Sequence, residues 1–232
     1  MNTFINLSSI QSKGINEAIF KNAKQLKKDA LLIAATNKSY SCATSLLVLS
    51  SEEVIKAILV LLHNQEYKVY QIKDARKFFT DHKVRHEVAT ILEFLNGMAA
   101  GLNSIEDKNE VPEVVLNTND DFLTKLKNGL KIVKDFLEPI NTSLEKIKAV
   151  QEFDTLKNKG LYVDYKDQLI IPQNAINQQT FKQTKDTVDQ TFKHYKIIKL
   201  LFHPKLKNHL SQDEISKTKT GLKAMIDGLL GG

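Results

Sequence analysis

Hydrophobic and polar positions alternate along most of the chain with the period of an α-helix. From Ile15 to Thr36, apolar side chains recur every three or four residues, opposite a face that is rich in lysine. This spacing predicts an amphipathic helix. Asn37-Lys38-Ser39 breaks the pattern. The next segment, about Tyr40 to Asn64, is apolar on nearly all sides, so we expect it to be the buried central helix.

Further helices are predicted from the same periodicity and from end signals. Thr80 and Asp81 are good N-cap residues, and Thr142-x-x-Glu145 and Ser211-x-x-Glu214 have capping-box spacing. The polar stretch Gly101 to Asn119 reads as a long loop. The predicted helices are Tyr67 to Phe79, His82 to about Ala100, Asp120 to Leu137, a restart at Thr142, Asn174 to Phe202 before Pro204, and a last helix to about Leu230.

One segment has the chemistry of strands. In Gly160 to Pro172, two runs of β-branched and aromatic residues flank Lys166-Asp167, which predicts a short hairpin or an extended lid. Tyr162 and Asp164 are the candidate lid residues. We therefore expect one mainly helical domain over residues 1–232, with a core at about 14–158, an extended segment at 159–173 and C-terminal helices at 174–232.

Composition narrows the class of protein. The formal net charge is +6 with lysines spread along the chain, which permits binding to nucleic acid without requiring it. The single cysteine, Cys42, excludes an internal disulfide and is expected to be a small core residue. No signal peptide is apparent, and charges interrupt the longest apolar run, Ala43 to Leu62. We expect a cytoplasmic protein without a membrane span.

The only two arginines lie close together in this lysine-rich chain. Arg76 and Arg85 flank His82, and His86 follows directly. A planar guanidinium holds phosphate oxygens in a fork and keeps its charge. On one continuous helix, Arg76 and His82 would lie about 120° apart. They can cooperate only if the helix breaks at Thr80-Asp81, or if one of them comes from a second subunit.

Such a break would place His82 in the first turn of a helix, where the neutral imidazole is favoured. A neutral imidazole can act as a base, and a cation can stabilise charge on phosphoryl oxygens. RNA cleavage without a metal ion needs these two groups. Two other interpretations remain open. Asp81 could pair with Arg85 on a solvated helix start, or His82 and His86 could share a metal ion, which the neighbouring Lys83 and Arg85 disfavour.

Charged residues are also found in the predicted central helix. Glu52, Glu53 and Lys56 are the only charges between Ser39 and Gln65, and they need partners because burying them unpaired would be costly. The spacing favours a Glu52–Lys56 pair. A carboxylate could also contact Arg76 or Arg85, and Glu53 could orient the histidine or an arginine.

Three segments together resemble the AbiV family of abortive-infection proteins, which belongs with the HEPN helical ribonucleases. The first covers Asn22 to Ala30 and continues from Ser39 to Ala57, where Glu52-Glu53-x-x-Lys56 matches that family's Glu-Glu-x-x-Lys. The second is Phe79-Thr-Asp-His82-Lys-Val-Arg85, similar to its His-x-x-Lys with arginine in place of lysine. The third is Lys159-Gly-Leu-Tyr-Val-Asp-Tyr165 with Pro172, similar to its Leu-Tyr-Val-Asp segment.

The resemblance implies an all-α, HEPN-like antiparallel helical bundle with extra C-terminal helices, often a homodimer. It implies a metal-independent ribonuclease in phage defence that needs no cofactor and that a phage component releases. His82 would be the base or acid, with Arg76 or Arg85 on the phosphate, His86 beside them, and Glu52, Glu53 and Lys56 in support. The alternative is a non-catalytic helical interaction module of a defence or toxin–antitoxin system.

Overall fold

The computed structural model describes residues 3–72, 75–82, 85, 88–89, 150, 152–204, 206 and 211–230. Within these ranges the chain is mostly helical, which confirms the predicted all-α class. The helices are α1 Ile15–Asn37, α2 Tyr40–Asn64, α3 Lys77–Thr80, α4 Phe153–Leu161, α5 Pro172–Ala175, α6 Gln178–Leu201 and α7 Gln212–Leu230. Single 3-10 turns lie at Phe4–Asn6 and Val69–Gln71. The predicted elements between residues 90 and 149 lie outside the described residues.

Helix α2 is the centre of the fold, as its apolar pattern predicts. Leu47, Val48, Val54 and Val60 on this helix are completely buried. Helices α1, α4 and α6 all pack against it. A helix that is hydrophobic on every side can be stable in water only when other elements cover it, so α2 organises the packing of the described residues.

Helices α1 and α2 form an antiparallel hairpin. Gly14, with a φ of 80°, begins α1, and Lys38, with a φ of 55°, lets the chain reverse after its end. The Ser50 hydroxyl donates to the carbonyl of Ala23 at 2.9 Å, between the middles of the two helices. Such a short connection requires neighbouring antiparallel helices, which places the α1 segment around Ala23 level with residues 50–53.

Helix α6 covers a second side of α2 and also contacts α1. The Asn16 amide donates to the buried Tyr195 hydroxyl at 2.9 Å, and Phe20 stacks on the Tyr195 ring with the centroids 4.0 Å apart. Lys27 of α1 forms an ion pair with Asp189. Burial would raise the pKa of Asp189, but hydrogen bonds from Lys185 and Lys27 outweigh it and hold that pKa below its usual value.

Helix α4 approaches α2 closely because of Gly160. A Cβ at this position would lie 2.5 Å from the Ser41 carbonyl oxygen and 2.2 Å from the Ser45 hydroxyl oxygen. The Ser45 hydroxyl donates to the Lys157 carbonyl at 2.9 Å across the same contact. Gly160, expected from the sequence at the start of an extended segment, therefore lies in the last turn of a helix.

The hairpin prediction is confirmed over a shorter range. Strands β1 Asp164–Lys166 and β2 Gln168–Ile170 pair antiparallel, with Tyr165 opposite Leu169 and Asp167 in the turn at a φ of 61°. Most of the hairpin is exposed to solvent. In the part of the chain that the structure describes, no helix combines the length and apolar character needed to cross a bilayer.

Three local predictions are wrong. The segment Tyr67 to Phe79 is not one helix, because Ile72 is extended between the turn at Val69–Gln71 and α3. Helix α6 begins at Gln178 rather than near Asn174, since Ile176 is extended and the Asn177 side chain caps α6 by accepting from the Thr180 amide. Cys42 is only partly buried.

The glycine contact gives a test of the α2–α4 packing. Gly160→Ala should lower the free energy of unfolding by about 1–3 kcal/mol, because the added methyl meets a backbone carbonyl that cannot move alone. Gly221→Ala in α7 is the matched control: outside its own turn of helix, no atom of the described residues lies within 4 Å of its Cβ position. It should stabilise the protein by up to about 1 kcal/mol through helix propensity. Urea unfolding followed by circular dichroism measures both. Equal effects of the two substitutions would contradict the close approach.

Candidate active site

The candidate site is built around Glu52, a carboxylate inside the central helix. Successive residues of α2 point about 100° apart, and each of three neighbours meets a different element. The Ser50 hydroxyl contacts α1, the Ser51 hydroxyl lies 3.3 Å from that of Thr191 on α6, and Glu52 faces α4 and His82. Glu52 is only 3% exposed.

Three basic side chains from two distant parts of the chain surround this carboxylate. His82 Nδ1 lies 2.5 Å and Arg85 Nη2 2.9 Å from Glu52 Oε2. Lys157 Nζ of α4 lies 3.5 Å from the other oxygen, Oε1, and 3.3 Å from Asp154 Oδ1. Removing one partner of a buried pair such as Glu52–Arg85 typically costs about 3–5 kcal/mol, so the contacts of Arg85 and Lys157 also hold their segments against α2.

The predicted break before His82 makes this geometry possible. Asp81 is extended, with φ −114° and ψ 120°, after α3 ends at Thr80. The described residues after the break, His82, Arg85 and Val88–Ala89, are helical. His82 and Arg85 are three positions apart and therefore share a helix face, which is the face that meets Glu52.

Arg85 is a buried part of the cluster. Its side chain is 4% exposed, and its Nη1 donates to the Phe78 carbonyl at 3.3 Å. Among the described residues, its Nε has no hydrogen-bond partner. The guanidinium lies on Glu52 and not on the Asp81 carboxylate, so the predicted Asp81–Arg85 side-chain pair is replaced by a tertiary contact.

Two contacts bear on which nitrogen of His82 carries the proton when the ring is neutral. Nδ1 lies 2.5 Å from Glu52 Oε2 and 2.7 Å from Arg85 Nη2, which itself donates to the same oxygen. A carboxylate oxygen only accepts, so the shorter contact favours Nδ1–H as the donor to Glu52, whereas accepting from the guanidinium would require the other tautomer. We assign the proton to Nδ1 because Arg85 already donates to Glu52. Nε2 then carries the lone pair, on a side chain that is 47% exposed.

Glu53 and Lys56 belong to a second, separate cluster. Lys56 forms an ion pair with Glu53 three residues before it, and the Asn22 amide of α1 donates to Glu53 Oε2 at 3.2 Å. The predicted Glu52–Lys56 pair is therefore wrong, because Lys56 pairs with Glu53 instead. Glu52, and not Glu53, orients the histidine, because Glu53 lies about 100° farther around α2, toward α1.

The described contacts of Glu52 do not include every predicted residue. Arg76 is exposed and precedes the first turn of α3, without an ion pair to any described residue. His86 lies outside the described residues. The side chain of Lys157 on α4 reaches Glu52, whereas Gly160, one turn later, lies beside Ser41. The hairpin with Tyr162 and Asp164 follows Gly160, and Ser41 is about 16 Å along α2 from Glu52.

Lys157 is the member of the cluster that the sequence reasoning missed. It is nine-tenths buried and bridges Glu52 and Asp154. The one local signal was the Asp154–Lys157 spacing of three residues, which suits a helical pair. That spacing cannot reveal that Lys157 also reaches a carboxylate 105 positions earlier in the chain, because only the packing of α4 on α2 joins them.

Metal-binding groups do not gather in the described part of the chain. No three histidine, cysteine, aspartate or glutamate side chains there converge in a way that could hold an ion. Because Glu52 contacts Nδ1 of His82, only Nε2 of this ring could bind a metal ion. The observed cluster is therefore a carboxylate–imidazole pair with two buried cations, which suits proton transfer by His82.

Comparison with known proteins identifies the family to which the site can be related. A family model described as AbiV, of the HEPN type, matches residues 11–193. The matched range includes Glu52, His82, Arg85 and Lys157, and it excludes α7. Searches of curated proteins and of solved structures found no match.

The tautomer of His82 can be tested directly. In mildly alkaline buffer, two-dimensional ¹H–¹⁵N NMR of the imidazoles should show a protonated Nδ1 on His82, because Nδ1 donates to Glu52. His63 is an internal control of opposite sign, since its Nε2 lies 2.8 Å from the Leu7 carbonyl and must donate there. The His82→Ala variant assigns the signal. A proton on Nε2 of His82 would contradict the carboxylate–imidazole pair.

Proposed function

Because the chain belongs to the AbiV family of HEPN proteins, we propose that it is an RNA endonuclease that uses His82 for proton transfer. Membership of this family indicates a HEPN-type role in abortive-infection defence. The observation that carries the ribonuclease proposal is the 2.5 Å contact between His82 Nδ1 and the buried Glu52 carboxylate. It leaves Nε2 as a base on a half-exposed ring.

The proposed reaction needs no group beyond side chains and the RNA itself. Nε2 of His82 removes the proton from a ribose 2′-hydroxyl, whose oxygen attacks the adjacent phosphorus. The bond from phosphorus to the 5′-oxygen breaks, giving a 2′,3′-cyclic phosphate, and the 5′-oxygen takes up the proton that Nε2 removed, which returns His82 to its neutral form. While His82 holds its proton, Glu52 stabilises the imidazolium, as a buried carboxylate does for a histidine base.

The two arginines take different parts in this proposal. Arg85 is nearly completely buried and its charge is directed at Glu52, so it acts as a positioning residue that holds Glu52 ionised and in place. Arg76 is exposed and makes no ion pair with a described residue, so its guanidinium is available to a phosphate. Arg76 is therefore the proposed cation for the phosphoryl oxygens.

The biological setting completes the proposal. The enzyme acts in the cytoplasm as a homodimer, with His82 of each subunit near the dimer interface, and a phage component releases its activity during infection. Support comes from the exposure of His82 and Arg76 on one monomer, which leaves both accessible to RNA and to a second copy. The cleaved RNA then arrests growth of the infected cell.

A second candidate function rests on the exposed hairpin. Tyr162, Val163, Tyr165 and Leu169 are all more than half exposed, although such side chains are usually buried or covered by a partner. On this basis the alternative is a non-catalytic interaction module of a defence or toxin–antitoxin system. The two functions differ in whether the purified protein cleaves RNA, since the interaction module would leave RNA intact with or without His82.

Replacing His82 tests the catalytic proposal. His82→Ala should lower the rate of RNA cleavage by about 10²–10⁴-fold, the usual contribution of a general base, and should relieve growth arrest. The fold should persist because the side chain is half exposed. The matched control is His203→Ala, which alters an exposed histidine after α6 and should leave cleavage unchanged. Gel analysis of total RNA with purified protein, with and without phage lysate, measures the rate.

Full cleavage by a folded His82→Ala protein would overturn the assignment of His82 as the catalytic residue. Arg76→Ala in the same assay separates the roles of the arginines. It should reduce cleavage without changing the unfolding midpoint, because the guanidinium makes no ion pair with a described residue. A lowered unfolding midpoint with unchanged cleavage would instead show a structural role for Arg76.

Chelation distinguishes the carboxylate–imidazole pair from the metal site that His82 and His86 could form. Cleavage should persist in EDTA, because Glu52 engages Nδ1 of His82 and proton transfer by Nε2 needs only side chains. The same protein without EDTA and with added Zn²⁺ provides the reference rates. Loss of cleavage in EDTA and its recovery with Zn²⁺ would establish the metal site instead.

A further inference from the structure

A second cleft lies far from Glu52, at the end of α2. Its volume is about 570 Å³, and it separates the segment Gln65–Lys68 from one face of α7. This volume lies within the range of about 300–1,000 Å³ that is typical of small-molecule sites. Helix α7 begins after the family match ends at residue 193. One wall of the cleft therefore belongs to the family core and the other to an addition.

Specific contacts hold the two walls in place. The Tyr67 hydroxyl donates to the Lys219 carbonyl of α7 at 3.4 Å. The Tyr67 ring meets Phe202 edge to face at 5.6 Å between centroids, and Lys219 Nζ lies 5.5 Å from the Phe202 centroid. Because Tyr67 follows α2, Phe202 follows α6 and Lys219 belongs to α7, the shape of the cleft is fixed by tertiary contacts.

The charges around the cleft favour an anion. Among the described residues that line it, three are lysines, Lys68, Lys219 and Lys223, and Glu66 is the one carboxylate. The hydroxyl of Ser216 also lines the cleft. Ammonium and hydroxyl donors together are suited to phosphate oxygens, because hydrogen bonds to charged oxygens are stronger than neutral ones.

The remaining lining suits a flat ring with polar edges. Tyr67 and Ile215 provide apolar surface, against which a ring can stack or pack. The amides of Gln65 and Gln212 also line the cleft, and each amide offers both a donor and an acceptor. A heterocyclic base presents the complementary groups at its edge.

We propose that this cleft binds a nucleoside phosphate, either as a free nucleotide or as the phosphorylated end of an RNA strand. The lysines neutralise the phosphate, and Tyr67 and Ile215 receive the base. The cleft is not the cleavage site: the part of α2 between Glu52 and Asn64 is about 18 Å long. The inference does not depend on the ribonuclease proposal, because it rests on a different set of residues.

Charge reversal at the rim of the cleft tests this inference. Isothermal titration with ATP should show binding to the full chain, and Lys68→Glu/Lys223→Glu should weaken it by about tenfold or more, since two phosphate contacts become repulsive. Both lysines are exposed, so the fold should persist. The matched control is Lys13→Glu/Lys166→Glu, which makes the same change of charge at two exposed positions elsewhere and should change affinity less than about twofold.

Two further ligands identify the source of the phosphate. In a competition experiment, ATP is displaced by a 5′-phosphorylated deoxyoligonucleotide, which the protein cannot cleave because it lacks the 2′-hydroxyl. Tighter binding of the oligonucleotide than of its 5′-hydroxyl form and of ATP would identify a strand end, and tighter binding of ATP a free nucleotide. The inference would be overturned by no ATP binding at millimolar concentration, by equal loss in the control variant, or by inorganic phosphate binding as tightly as ATP.

Discussion

The burial of the Glu52 carboxylate in the central helix is the constraint on which the candidate site depends. A carboxylate that is 3% exposed must be compensated, because an unpaired buried charge costs several kcal/mol. Arg85 and Lys157 supply the compensation, and each is itself nearly buried. The same electrostatic requirement therefore attaches both α4 and the helix beginning at His82 to α2, and the side chains of the site are part of the core.

This constraint also decides what each basic residue can do. The guanidinium of Arg85 is bound to Glu52 and to the Phe78 carbonyl, and moving it to a phosphate would leave the carboxylate with less compensation. His82 differs, because only Nδ1 is engaged and almost half of the side chain is exposed. The contacts of Glu52 thus give Arg85 a positioning role and leave His82 able to react. Their spacing along the sequence, three positions on one helix face, makes them look equivalent.

The C-terminal part of the chain extends the fold at the C-terminal end of α2, away from this cluster. Helix α7 lies beyond the family match and contacts Tyr67, after α2, and Phe202, after α6. The C-terminal end of α2 is completed there by Glu66 in a left-handed conformation, with the Tyr67 amide donating to the Leu62 carbonyl at 3.0 Å, a common way to end a helix. The turn that ends the central helix is also one wall of the second cleft.

The sequence by itself determined the helices and the break beside the histidine. Periodicity located α1 and α2 to within a residue, and the N-cap residues Thr80-Asp81 predicted the helix break that is observed at Asp81. Both signals depend only on residues within a few turns of each other. Only the tertiary structure decided that Glu52, rather than Glu53, faces His82, that Arg85 is buried, and that Lys157 joins them. These outcomes depend on which side of α2 each helix covers. Because adjacent helix residues point about 100° apart, Glu52 meets His82 and Glu53 meets Lys56. The sequence shows two neighbouring glutamates and cannot tell which of them faces the histidine.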